Sequence, residues 1–405
     1  MVTAPLAGVK VVELARILAG PWAGQLLADF GADVVKVESP AGDDTRGWGP
    51  PFVRYADGGA DAAYFHSCNR GKRSVAVDFG KPEGRDIVVR LAASADVLIE
   101  NFRVGGLARH GLDHASLKAV NPRLVYCSIT GFGQTGPYAD LPGYDFLVQA
   151  MGGIMDLTGD PAGEPQKVGV AFADIFSGLY AVVAIQAALA ERARIGEGRH
   201  IDISLLDVQV GVLANQAMNY LVTGTPPHRL GNAHPNIVPY QVFAVADGHV
   251  VVTVGNDAQF RKFCGVIGAP ELAEDPAYAT NEQRVKNRAA LIPRLVARLA
   301  PFRRQPLLDG LAAAGVPGGP INALDQVFAD PQVLARGMRV DLPGADGAVP
   351  SVRTPVLLSG EPVIARRAAP RLGADTAAVL ADIGYDAAQI ERLRAAGVIG
   401  VHSPR

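Results

Sequence analysis

Asp174 stands at the head of a long Ala-rich apolar stretch in the segment KVGVAFADIFSGLYAVVAIQAALAE. An acidic residue before such a stretch is placed at the positive end of a helix, and aspartate is among the preferred N-cap residues. The same geometry allows a second role. Main-chain N–H groups at a helix start stabilise a carboxylate, keep it ionised at neutral pH, and could hold the oxyanion formed when it attacks a carbonyl. Other chemistries have less local support. The eight histidines show no HExxH pattern, and no GxxxxGK[ST] loop occurs. The turn after the first apolar segment, ARILAGPWAG, has only Gly20 before the next helix where a dinucleotide fold would carry GxGxxG, which disfavours NAD. The expectation is therefore an enzyme with no bound metal and no permanently bound cofactor.

The elements that must position Asp174 alternate along the first half of the chain. Val9–Leu14, Val34–Glu38, Ser74–Phe79, Val97–Glu100 and Leu124–Ile129 read as strands. Pro21–Phe30, Pro82–Ala95 and His114–Val120 read as helices between them, the first opened by Pro21 and closed by Gly31. This alternation predicts an α/β fold, Rossmann-like in outline, with a mostly parallel sheet. The apolar stretch from Ile175 to Ala190 falls short of a bilayer span and reads as a buried helix. After Gly224 the chain turns rich in Pro, Gly and Asn, and Gln241–Val245 and His249–Val254 flank Asp247-Gly248 as a hairpin. A smaller α+β domain is expected there.

Composition bounds the partners. The 405 residues carry a formal charge of −2, which excludes a strongly basic nucleic-acid binder, and 49% are hydrophobic, enough for a substantial core. Three cysteines without CxxC spacing, and an N-terminus without a basic segment and signal-length apolar run, predict a cytoplasmic protein that neither enters a membrane nor uses disulfides.

From end to end the chain resembles the class III CoA-transferase family, which includes formyl-CoA and carnitine CoA-transferases. Seven stretches carry the likeness in order: PLAGVKVVELARILAGPWAGQLLADFGADVVKVESP, NRGKRSVAVDF, ADVLIENF, LVYCSITGFGQTGPYADLPGYDF, GNAHPNIVPYQVF, AGVPGGPIN with DPQVLARGM, and IERLRAAGVI. The resemblance implies that Asp174 is the acyl-accepting nucleophile. It attacks the donor thioester to give a mixed anhydride, which released CoA converts to an aspartyl-CoA thioester that the acceptor acid then attacks. CoA and acyl-CoA are substrates in this scheme. Two alternatives stay open: a racemase of the α-methylacyl-CoA type, and a non-catalytic acyl-CoA binder. The racemases carry His before the Asp of the motif that reads PGYDF here, whereas this chain has Tyr144 followed by Asp145. A phenol of ordinary pKa, about 10, is a poor α-proton base.

Further site residues follow from the same likeness. Asn101, Phe102 and Arg109 match family positions around the adenosine and phosphates of CoA, and they follow a strand end where open α/β sheets collect ligands. Lys72 and Arg73 in the GKRS turn are either a second phosphate contact or a solvated basic turn. Tyr144 and Asp145 are implied to line the acyl site, or else serve as an interfacial Tyr and a helix cap. The resemblance implies that the loop carrying Arg16 borders the acyl pocket, where Arg16 could contact an anion or substrate carboxylate. Gly231 to Pro235 match a glycine-containing loop that can close over the reacting Asp, with His234 and Pro235 in place of glycines. That departure, together with Leu18 where some oxalate-acting relatives have Gln, disfavours formyl or oxalyl specificity. A dicarboxylate such as succinate, held through Arg16 and His234, is the acceptor class entertained. The family's protomers interlock as homodimers, each a ring closed by two linkers. The implied division is a large domain at 1–200, a linker at 201–226, the small domain at 227–325, and a second linker with the return to the large domain at 326–405.

Overall fold

The computed structural model describes residues 4–400 and divides them into two compact units. The first contains the described residues up to Gly152, Gly169–Val212, and the described residues from Pro331 onward. The second contains Gly153–Val168 and Leu213–Asp330.

The first unit is built on a seven-stranded sheet. Its parallel strands are β1 (Lys10–Glu13), β2 (Asp33–Glu38), β3 (Arg73–Val77), β4 (Val97–Glu100), β5 (Val125–Thr130) and β6 (His200–Ser204), in the order β3-β2-β1-β4-β5-β6. The short strand Ile399–Gly400 pairs antiparallel on the far side of β3. Strands β1, β4 and β5 are almost wholly buried, as expected for parallel strands covered on both faces. Helices α1 (Ala19–Asp29) and α4 (Phe172–Ile195) contribute to the core on one face. The other face is covered by α2 (Pro82–Ala93), the His114–Val120 helix and the Thr376–Asp382 helix. Between the latter two in the chain lies α3 (Asp145–Met151).

The order reverses between β1, which is followed by α1, and β4. At such a switch point the loops leaving the two strands diverge and open a crevice at their carboxyl ends. The structure thus differs in small ways from the elements read in the sequence. Helix α1 starts two residues before Pro21, which occupies its third position.

Helix α4 is longer than the apolar stretch suggested, with 24 residues. By length and composition it could cross a membrane. Here Ala173, Ser177, Gly178, Ala181, Val182, Ile185 and Ala188 form its buried stripe, while Leu179, Tyr180 and Val183 are exposed. Gly178 permits the close crossing of α1, because a Cβ there would stand 2.7 Å from the Ala19 carbonyl oxygen.

The second unit has a three-stranded antiparallel sheet of β7 (Tyr240–Val245), β8 (Gly248–Thr253) and β9 (Gly318–Pro320), with β8 in the middle. Helices Asp257–Val266, Arg288–Leu299 and Arg304–Ala314 pack on it around Phe243, Phe260, Phe263 and Leu295. Arg284 is fully buried in this core, yet its guanidinium is satisfied. It donates to the carbonyls of Val238 at 2.6 Å and Tyr278 at 3.0 Å and to Asp257 at 2.8 Å, and lies 4.4 Å from the Phe260 ring centroid.

The division differs from the one expected along the chain. Positions 201–226 are not a bare linker: they contain most of β6 and the helices Leu205–Gly211 and Ala214–Thr223. Gly153–Val168 falls in the second unit because Arg229 ties it there, donating to the carbonyls of Asp156, Asp160 and Gly163 and to the Asp156 carboxylate.

Candidate active site

The crevice at the switch point is a cavity of about 740 Å³ contained in the first unit. Its wall comes from the loop after β1 (Arg16 to Ala19), the loop after β4 (Asn101 to Gly106, and Arg109), the end of β5, the segment Ala139 to Tyr144, and Asp174 on α4. Six of the residues singled out in the sequence, Arg16, Asn101, Phe102, Arg109, Tyr144 and Asp174, therefore share one cavity. They are spread over 158 positions of sequence, from 16 to 174, and meet because the strands that carry them end side by side.

Asp174 is the third residue of α4. The cap position belongs to Ala171, whose side chain makes no bond. The first N–H groups of the helix are taken by Asp145, whose Oδ1 accepts from the Ala173 N–H at 2.8 Å and the Asp174 N–H at 3.3 Å. Gln149 in turn donates to the other Asp145 oxygen at 2.7 Å. The helix start is thus capped across α3, and Asp174's side chain has no hydrogen-bond partner among the described residues. This corrects the expectation that helix N–H groups keep Asp174 ionised. Burial, joined by the negative charge of Asp145, pushes its carboxyl up to about 7. The Tyr64 phenol, missed in the sequence, is raised by burial and by the charges of Asp174, Cys68 and Asp145.

The cations of the cavity are Arg16, Arg103 and Arg109. Arg16 is half exposed and pairs with Asp44 at 3.0 Å, with its guanidinium 5.8 Å from the Phe102 ring centroid. Arg109 is exposed and donates to His110 at 3.0 Å. The carboxamide of Asn101 is turned to the protein: it accepts from the Arg16 N–H at 2.8 Å and donates to the Arg16 carbonyl at 2.7 Å. Tyr144 is 65% exposed, open to a ligand. Behind the β4 loop, Glu100 accepts from the Phe102 N–H at 2.8 Å, and burial raises its carboxyl to about 7.

Five of the anticipated residues are not among those lining the cavity: Asp145, which caps α4 instead, and Lys72, Arg73, Gly231 and His234. Lys72 is fully buried, and its three N–H groups are spent on Glu13 at 2.9 Å, the Pro21 carbonyl at 2.8 Å and Asn69 at 2.8 Å. Arg73 is held by the carboxylates of Asp33 and Asp382 on a different surface hollow. Lys72 has no donor to spare for a phosphate, and Arg73 is paired with two carboxylates outside the cavity. Gly231 and His234 belong to the second unit. Gly231 has a φ of +59°. His234 accepts from the Asn236 N–H at 3.0 Å, and its imidazole is shifted down by burial and by the Arg288 charge. Among the described residues no group of His, Cys, Asp and Glu is arranged to hold a metal ion.

A family model for CoA-transferase family III matches residues 6–376. The chain belongs to CoA-transferase family III. It is 56% identical over 382 residues to a succinate–glutarate CoA-transferase of Agrobacterium fabrum, covering 94% of this chain and 96% of that one. With the succinyl-CoA:glutarate CoA-transferase of Mus musculus it shares 43% over 404 residues, covering 99% and 92%. The crystal structure of a CaiB/BaiF family protein from Brucella suis superposes with a TM-score of 0.83 at 59% identity, over 94% of this chain and 99% of that one. The family III assignment makes the protein an enzyme that takes an acyl-CoA donor and a carboxylic acid acceptor.

Proposed function

We propose that the enzyme moves CoA between short dicarboxylic acids, with succinyl-CoA as donor and glutarate as acceptor, through covalent intermediates on Asp174. The relatives named for succinate and glutarate supply the substrate pair. The observation that carries the mechanism is an Asp174 carboxylate in the cavity wall with no hydrogen-bond partner of its own. A carboxylate committed to a cap would be a poorer nucleophile, and Asp145 has taken that task.

In the first step an Asp174 oxygen attacks the thioester carbonyl, the C–S bond breaks, and CoA thiolate leaves. The thiolate attacks the Asp174 carbonyl of the resulting anhydride, succinate departs, and an aspartyl-CoA thioester remains. A glutarate oxygen attacks that thioester and expels CoA thiolate. The thiolate then attacks the glutaryl carbonyl of the second anhydride, giving glutaryl-CoA and free Asp174. Arg16 suits the far carboxylate of a diacid, and Arg103 and Arg109 suit the phosphates of CoA. The cavity's lining residues include no histidine, which favours transfer over α-proton exchange. Gly231 and His234 are assigned to a loop that shapes acceptor choice. The fold assignment is a Rossmann-like large domain with a small α+β domain in an interlocked homodimer. The exposed apolar residues Leu179, Tyr180 and Val183 of α4 support burial against a second copy.

Incubation with succinyl-CoA, trapping with hydroxylamine or borohydride, and peptide mass analysis tests the mechanism. A modified Asp174 is expected. Rapid transfer with an unlabelled Asp174 peptide would overturn the covalent route. Deuterium entering the α-position of a 2-methylacyl-CoA without acceptor acid would favour the racemase alternative.

A further inference from the structure

The loop between β1 and α1 supplies Arg16, Ile17, Leu18 and Ala19 to the cavity, and its backbone is unusual at one point. Ile17 has a φ of +72°. A β-branched residue is strongly disfavoured there, because its Cβ crowds the adjoining carbonyl. Such a conformation persists only where the surroundings over-determine it.

Three side chains from elsewhere in the fold supply that constraint. Lys36 donates to the Ala15 carbonyl at 2.8 Å. Asn101 binds both the N–H and the carbonyl of Arg16. Asp43 accepts from the Ile17 N–H at 3.3 Å. Four successive main-chain polar groups are thus held by side chains rather than by the loop itself. Lys36 and Asp43 are buried and paired at 2.9 Å, and Glu13 holds Lys36 from its other side at 3.2 Å, so the anchors are fixed in turn.

We propose that Asn101, Asp43 and Lys36 form a clamp that keeps Ile17 in its left-handed conformation and thereby sets the cavity wall around Arg16 and Leu18. They are positioning residues, acting through the loop's main chain. The part of the proposal that concerns activity rests on reading the cavity as the transfer site. The clamp itself does not.

The experiment is a pair of double-substitution cycles with Ile17→Gly, since glycine adopts a positive φ freely and leaves the clamp no strain to resist. Asp43→Asn is expected to lower the thermal midpoint by several degrees less with Ile17 present than with glycine there, because a freed Ile17 sheds its strain and offsets part of the lost clamp. Asn101→Ala, which leaves the Lys36–Asp43 pair intact, gives a second cycle with the same expectation and carries the test where Asp43→Asn does not fold. Equal losses in both backgrounds would overturn the strain link. With succinyl-CoA and glutarate, Asp43→Asn and Asn101→Ala are each expected to lower kcat/KM at least tenfold at temperatures where the variants stay folded, and Ile17→Gly should restore part of that loss. Asp43 does not line the cavity, so its effect cannot come from a lost ligand contact. An unchanged kcat/KM in folded Asp43→Asn would overturn the positioning role. A wild-type protein without transfer activity would overturn the functional reading instead, and the unfolding cycles would still judge the clamp.

Discussion

The carboxylate of Asp145 accepts the main-chain N–H of Asp174 at 3.3 Å and, from the same position, opposes the charge on the Asp174 side chain. One aspartate therefore caps the helix and adds to the burial that raises the carboxyl of the other.

The pH profile should report this relationship. With the Asp174 carboxyl at about 7, kcat/KM for the acyl-CoA donor is expected to rise with pH and reach half its plateau near neutrality. Asp145→Asn removes the opposing charge but retains an oxygen that can accept from Ala173 and Asp174. Its rising limb should move to lower pH, and a limb that stays in place would refute the pairing.

Asp174→Ala is expected to abolish transfer without a loss of stability, because no side-chain hydrogen bond is removed. The carboxyl is raised in the folded state above its unfolded value of about 3.9. Its contribution to stability is therefore present in full below that value and is lost as pH rises through about 7. Urea unfolding should find the variant more stable than the wild type at pH 8, with the difference vanishing near pH 4.

Acceptor recognition can be read by chain chemistry. If Arg16 holds the far carboxylate of a diacid, Arg16→Ala should raise KM for glutarate by about 10- to 100-fold, the range of one charge-assisted hydrogen bond. A monocarboxylic acceptor of equal length should show little change. Equal effects on both acids would assign Arg16 to the donor or to the loop.

In the second unit, Arg284→Ala removes a buried cation from two carbonyls and Asp257. The expected cost is about 1–3 kcal/mol for each of the Val238 and Tyr278 carbonyls left without this donor, since Asp257 is partly exposed and can be solvated. Denaturant unfolding with a probe in the second unit measures it.

Much of the parallel sheet was legible because its signals are local. Val97–Glu100 and His114–Val120 were read with the observed bounds, and alternating strand and helix predicted the layers. Asp174 stood out through its position before an apolar run. What escaped was set by distant partners. Lys72 in GKRS looks like a surface turn until Glu13, 59 positions earlier, is brought beside it. Asp145 begins its own helix, and nothing in its spacing announces that it caps another 28 residues on. Ile17 is an ordinary apolar residue in sequence. Its backbone angle is imposed by Asp43, Lys36 and Asn101, none of them a neighbour in the chain.

The sheet of the first unit is finished by Ile399–Gly400, which pairs with Val77 and Ala76 more than 300 positions earlier. During synthesis that edge stays open until Ile399 and Gly400 have been made, whereas the residues of the second unit emerge before them. An uncovered strand edge is a template for pairing with other chains. The enzyme's exposure to aggregation should therefore persist until that strand is made, and substitutions that prevent it from pairing should cost more in soluble yield than its two residues suggest.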